Sequence, residues 1–187
     1  TNTIRPSLEF IKTSPDGTPL KNVSFRIARI EDGTHYLDRT TNEQGEIRIS
    51  DLEPGVYSVK EITTDSSHIL DSREYHVELF PGKTSTLTME NQKRPNLTVY
   101  KYDADTGESI PDTVFEVRAA DGHSIDQIRT DCEGKAELKN LLPGVYEIIE
   151  KSVPSPWLLD APSQLVTLYP NRDSTVYFVN HQKPSLT

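Results

Sequence analysis

Lys12, Glu61 and Asn91 fall on the apolar side of strand-like segments, and the same trio returns 89 positions later as Lys101, Glu150 and Asn180. Polar groups of this kind are unfavourable in a core unless something compensates them. Burial shifts lysine and glutamic acid towards their neutral forms, so both can be uncharged near pH 7. A neutral amine is a nucleophile, and an asparagine carboxamide is an acyl group it can attack. A protonated glutamic acid can polarise that amide and pass a proton to departing ammonia. Folding would supply the proximity, making the step intramolecular and single-turnover rather than enzymatic. The same residues would also serve as a buried Lys–Glu ion pair hydrogen-bonded by asparagine. Residue types alone leave both arrangements open.

The elements that must position these groups are strands. Side chains two apart share a strand face. Lys12 is in step with Leu8 and Phe10, and Lys101 with Leu97 and Val99. Glu61 follows Tyr57 and Val59, while Glu150 follows Tyr146 and Ile148. Asn91 is in step with Leu87 and Met89, and Asn180 with Val176 and Phe178. Alternating runs between turn clusters predict strands at about 8–13, 23–30, 35–41, 46–50, 55–62, 74–80 and 84–91 in the first repeat. No segment carries a capped helical period. Seven short strands in about 90 residues imply an all-β fold of two packed sheets.

The repeat sets the domain organisation. Leu52-Glu53-Pro54-Gly55-Val56-Tyr57 matches Leu141-Leu142-Pro143-Gly144-Val145-Tyr146, Gly45 matches Gly134, and Thr41 matches Thr130. The reading is two domains, 1–93 and 94–182, followed by 183–187 as a linker or the start of another repeat. Arg5-Pro6-Ser7-Leu8, Arg94-Pro95-Asn96-Leu97 and Lys183-Pro184-Ser185-Leu186 repeat the boundary, so proline-stiffened connectors within a longer array are expected.

A net charge of −9 without a basic cluster argues against nucleic acid and anionic membrane surfaces. No 18-residue apolar run or signal-peptide pattern is present, so a soluble piece of something larger is expected, without membrane insertion. Cys132 is single, which removes an intramolecular disulfide and leaves an incidental exposed thiol. At 34% hydrophobic residues each core is modest, and a covalent staple would help it.

Lys-x-Asp/Ser near the start, Pro-Gly-Val-Tyr-x-x-x-Glu in the middle and an alternating strand ending in Asn together resemble the collagen-adhesin B-type repeat, across essentially the whole chain and twice. The resemblance implies tandem seven-stranded transthyretin-like (inverse immunoglobulin-like) sandwiches of Gram-positive surface adhesins and pilins. It also implies spontaneous isopeptide bonds Lys12–Asn91, assisted by Glu61, and Lys101–Asn180, assisted by Glu150. The spacing agrees with that carry-over: Lys to Glu is 49 residues and Glu to Asn 30 in both repeats. The implied role is a rigid stalk of a cell-wall-anchored extracellular protein. This fragment is expected to be monomeric and to need no cofactor. Its partners would be neighbouring repeats and, through other regions, host matrix. The rivals are a host-ligand-binding module, a pilin shaft domain and, as a third class, a hydrolytic enzyme.

Other signals read as structural. His35, His68, His76, His123 and His181 lack ligand spacing and read as surface or loop residues, with no metal site expected. No Ser-His-Asp order is evident. Asp103, Asp105 and Glu108 read as a solvated turn rather than a calcium loop. Tyr169-Pro170-Asn171-Arg172 reads as a hairpin turn, with Arg172 where pilin polymerisation would need an amine. Trp157, without an aromatic counterpart in the first repeat, is expected to pack over a sandwich end or at the domain junction.

Overall fold

The structure is a computed structural model describing residues 3–33 and 35–186. The chain divides into two compact units, Thr1–Lys93 and Arg94–Thr187. The first contains β1 (Ser7–Thr13), β2 (Ser24–Arg29), β3 (Tyr36–Thr40), β4 (Glu46–Ile49), β5 (Gly55–Thr63), β6 (Glu74–Leu79) and β7 (Thr84–Glu90). The second contains β8 (Leu97–Asp103), β9 (Val114–Ala119), β10 (Ser124–Arg129), β11 (Lys135–Leu138), β12 (Gly144–Ser152), β13 (Gln164–Leu168) and β14 (Ser174–Asn180). No helix occurs among the described residues, and none is long and apolar enough to cross a membrane.

Each unit is a three-stranded sheet packed on a four-stranded one. The orders are β4-β1-β7 and β3-β2-β5-β6 in the first, β11-β8-β14 and β10-β9-β12-β13 in the second. In β1 alternate residues are buried, which places Leu8, Phe10 and Lys12 on the core side. Phe10 stacks on Phe25 of the facing sheet at 5.7 Å, and Phe115 meets Phe178 at 4.8 Å. Each interior thus forms from the inward rows of two sheets.

One topological feature positions the site. The first strand of each unit runs parallel to the last, β1 beside β7 and β8 beside β14. Their downstream ends therefore lie side by side. Lys12 is opposite Met89, so Asn91 sits one inward position further along. Lys101 is opposite Phe178 and Asn180 follows two residues on.

The repeated motif residues have local causes. Gly45 and Gly134 have φ of 72° and 71°, and a side chain at either would strike the carbonyl oxygen of Lys12 or Lys101. The hydroxyl of Thr41, just past β3, bonds to the Leu20 carbonyl and receives the Val23 amide. Thr130 does the same with Ile110 and Thr113. The Tyr57 hydroxyl donates to the Glu53 carbonyl at 2.9 Å, and that of Tyr146 to Leu142 at 2.7 Å. Lys183 donates its amide to the Pro156 carbonyl, and Pro184–Leu186 carry no regular structure. Thr1, Asn2, Thr34 and Thr187 lie outside the described residues.

Candidate functional site

All six polar residues are brought together in two clusters, one per unit. Lys12 and Lys101 are 0% exposed, and Asn91 and Asn180 are 1% and 0%. Glu61 and Glu150 are also buried; they come from β5 and β12, across the core from the lysine-bearing strands. Lys and Asn thus belong to one sheet, and Glu reaches them from the other.

In the first unit Lys12 Nζ lies 2.9 Å from Glu61 Oε2. Asn91 Nδ2 donates to Glu61 Oε1 at 2.6 Å and to Thr64 Oγ1 at 3.1 Å. Close approach is not satisfaction, however. Lys12 Nζ, Glu61 Oε2 and Asn91 Oδ1 are buried without a properly directed hydrogen bond. In the second unit Lys101 Nζ is 3.9 Å from Glu150 Oε2, and its hydrogen bond is a long one of 3.4 Å to the adjacent Tyr102 carbonyl. Asn180 Nδ2 donates to Glu150 Oε1 and, at 2.6 Å, to the Leu158 carbonyl. Glu150 Oε2 and Asn180 Oδ1 remain unpartnered. Burial lowers the Lys101 pKa, with Glu150 opposing the shift. Burial raises the Glu150 pKa, opposed by the Asn180 hydrogen bond and the Lys101 charge. Both shifts favour a neutral amine beside a neutral acid.

Residues that the sequence left aside surround these clusters. His68 is buried rather than at the surface, and Ser14 Oγ lies 2.7 Å from its Nε2. Its Nδ1 is 2.9 Å from Asp65 Oδ1, so a Ser–His–Asp line exists in space although no sequence order announced it. Ser14 is only 1% exposed, which denies its hydroxyl to an external acyl group. Asp103, expected in a solvated turn, is buried. Its Oδ2 accepts from Trp157 Nε1 at 2.8 Å and Gln182 Nε2 at 2.7 Å. Its Oδ1 accepts the amides of Asp105 and Thr106, and these bonds hold its pKa well below the usual carboxylate range. Trp157 therefore closes its own unit through its indole nitrogen. Tyr169-Pro170-Asn171-Arg172 is a turn, with Arg172 bonded back to the Tyr169 carbonyl.

Two parallel-closed sandwiches with the same inward trio define a repeated structural type. The sequence matches the family described as SpaA, prealbumin-like fold domain, over residues 6–93 and again over 95–182. The chain belongs to that family. Among solved structures, SpaA-like architecture recurs in the shaft pilin SpaA of Lactobacillus rhamnosus GG. That match has 16% identity and a TM-score of 0.60, covering 100% of both chains. A streptococcal ancillary pilin is 20% identical with a TM-score of 0.53, covering 99% of this chain and 64% of its own. The Bacillus anthracis TIE protein is 23% identical with a TM-score of 0.51, over 96% of this chain. The chain spans only 34% of that protein's length. At these identities the likeness shows the SpaA-type fold. No curated protein matches.

Proposed function

We propose that each unit closes its own isopeptide bond, Lys12–Asn91 with Glu61 and Lys101–Asn180 with Glu150, and that the chain is a rigid stalk segment of a bacterial surface protein. The observation that carries this reading is the poor satisfaction of the buried trio. A retained ion pair needs good geometry and further hydrogen bonds to offset its desolvation. An unsatisfied buried polar group costs about 1–3 kcal/mol; the first trio holds three such atoms, and Glu150 Oε2 and Asn180 Oδ1 are their counterparts in the second. Condensation removes the source. The Nζ lone pair attacks Asn Cγ, the Cγ–Nδ2 bond breaks, and a proton from Nζ passes through the glutamate carboxyl to Nδ2. Ammonia leaves, and one buried amine and one amide become a single amide.

The step is a single-turnover maturation, so the chain is not an enzyme in the ordinary sense. In the first unit a cleft of about 350 Å³ lined by Ile69, Asp71, Arg73, Glu90 and Asn91 borders the asparagine position. Membership of a family whose solved folds include pilins supports an extracellular, cell-wall-associated setting. Neighbouring repeats of the same chain are the partners in this reading. The decisive measurement is intact mass under denaturing conditions. Two bonds lower it by about 34 Da, and Lys101→Ala returns about 17 Da. The full unmodified mass would falsify the bond. Binding of the fragment to matrix proteins would move the reading to an adhesive module.

A further inference from the structure

Both units carry a side-chain latch at equivalent positions, built from different residues. Ser14 and Asp103 stand two residues beyond the lysines, and His68 and Trp157 are also separated by the 89-residue repeat. Ser14 bonds His68, and Asp103 bonds Trp157. The backbone beneath is the same in both. His68 donates its amide to Asp65 and Trp157 to Pro154, while Ile69 donates to Gln92 and Leu158 to His181. The loop after the fifth strand is thereby tied to the end of the first strand and to the segment following the asparagine.

This loop also supplies the second acceptor for the departing nitrogen. Thr64 Oγ1 accepts from Asn91 Nδ2, and the Leu158 carbonyl accepts from Asn180 Nδ2. With Glu Oε1 as the other acceptor, the carboxamide nitrogen is held between the glutamate and this loop, which fixes the amide plane. We infer that Ser14–His68–Asp65 and Asp103–Trp157 are positioning latches for isopeptide formation, acting through the loop that holds the leaving amide. This rests on the bond proposed above. Position is held by a hydroxyl, imidazole and carboxylate in one unit and by a carboxylate and indole in the other. Such an exchange conserves a hydrogen bond between two elements rather than a side-chain chemistry.

The test uses the whole 187-residue chain, made by cell-free translation and quenched in denaturant at timed intervals. The two cross-linked peptides are counted separately, so each unit is the other's internal control. Trp157→Phe keeps the ring and loses the donor. It should slow the Lys101–Asn180 bond by about tenfold, the effect of one anchoring hydrogen bond on a barrier. Lys12–Asn91 should form at the parent rate. Ser14→Ala should reverse that pattern, and the double exchange Ser14→Asp with His68→Trp should restore the first bond. Limited proteolysis in a Lys12→Ala background checks that the first unit of each variant folds. Parent rates in both single variants overturn the latch while leaving the bond intact. Slowing that a folded double exchange does not recover also overturns it, and if that exchange does not fold, Trp157→Phe decides alone. Absence of both cross-links from the parent chain removes the underlying reading instead.

Discussion

Glu150 and Lys101 are shifted in opposite directions by the same burial, and this gives the second unit a testable pH response. In Lys101→Met no bond can form and the neighbouring positive charge is gone, so burial raises the Glu150 pKa against the Asn180 hydrogen bond without the opposing lysine charge. A folded-state pKa above the unfolded value means that the folded unit retains a proton the unfolded chain has released. The stabilisation is therefore complete below the ordinary carboxylate pKa of about 4.3 and is lost as pH rises through the raised value. Denaturant titrations of Lys101→Met should show stability of the second unit declining from acid towards neutral pH. Lys101→Met with Glu150→Gln should lack that part of the decline. Equal pH profiles for the two variants would contradict the assigned shift. Glu150→Gln alone should leave the Lys101–Asn180 bond largely unformed, readable as about 17 Da of retained mass.

At the level of elements, the turn before the fourth strand of each unit is a packing requirement of the lysine strand. Gly134 combines a left-handed backbone with an approach to the Lys101 carbonyl that leaves no room for a methyl group. Gly134→Ala should destabilise the second unit by about 1–3 kcal/mol, because the strained φ and the collision act together. Chemical denaturation in an Asn180→Ala background isolates this from any covalent contribution. A change within a few tenths of a kcal/mol would show that β8 yields freely. The seven-strand pattern of each unit was legible because alternation along β1, β5, β8 and β12 is strict. Strand ends were less so: Thr41 lies just past β3, still bonded through its backbone to Asn22 and Val23 while its hydroxyl bonds to Leu20 and Val23.

For the whole molecule, the consequence of the proposed bonds is mechanical. β1 and β7 are adjacent and parallel, so a Lys12–Asn91 link lets tension cross from the first strand to the last near their common ends. The roughly 80 residues between them then lie outside the load path, which hides about 270 Å of contour per unit. Stretching single molecules should show no such release for the parent chain, and one release of that size for Lys12→Ala. Release from the parent would show that at least one unit is not cross-linked. Closing a loop of this size also adds roughly 4–5 kcal/mol in the chain-entropy treatment of cross-links. Lys12→Ala should accordingly lower the melting temperature of the first unit by well over 10 °C, visible by calorimetry.

By itself the sequence determined the succession of strands along the chain, the two-fold repeat and the inward parity of Lys12, Glu61, Asn91 and their partners. Those are local properties, since alternation and turn chemistry are written in consecutive residues. Only the tertiary structure decided that the first and last strands pair in parallel, which sets lysine and asparagine within reach of one glutamate. It alone joined Ser14 to His68 and Asp103 to Trp157, contacts that span 54 residues in each case. Hydrogen bonds over such distances depend on how two sheets close on each other, and no periodicity along the chain encodes that closure.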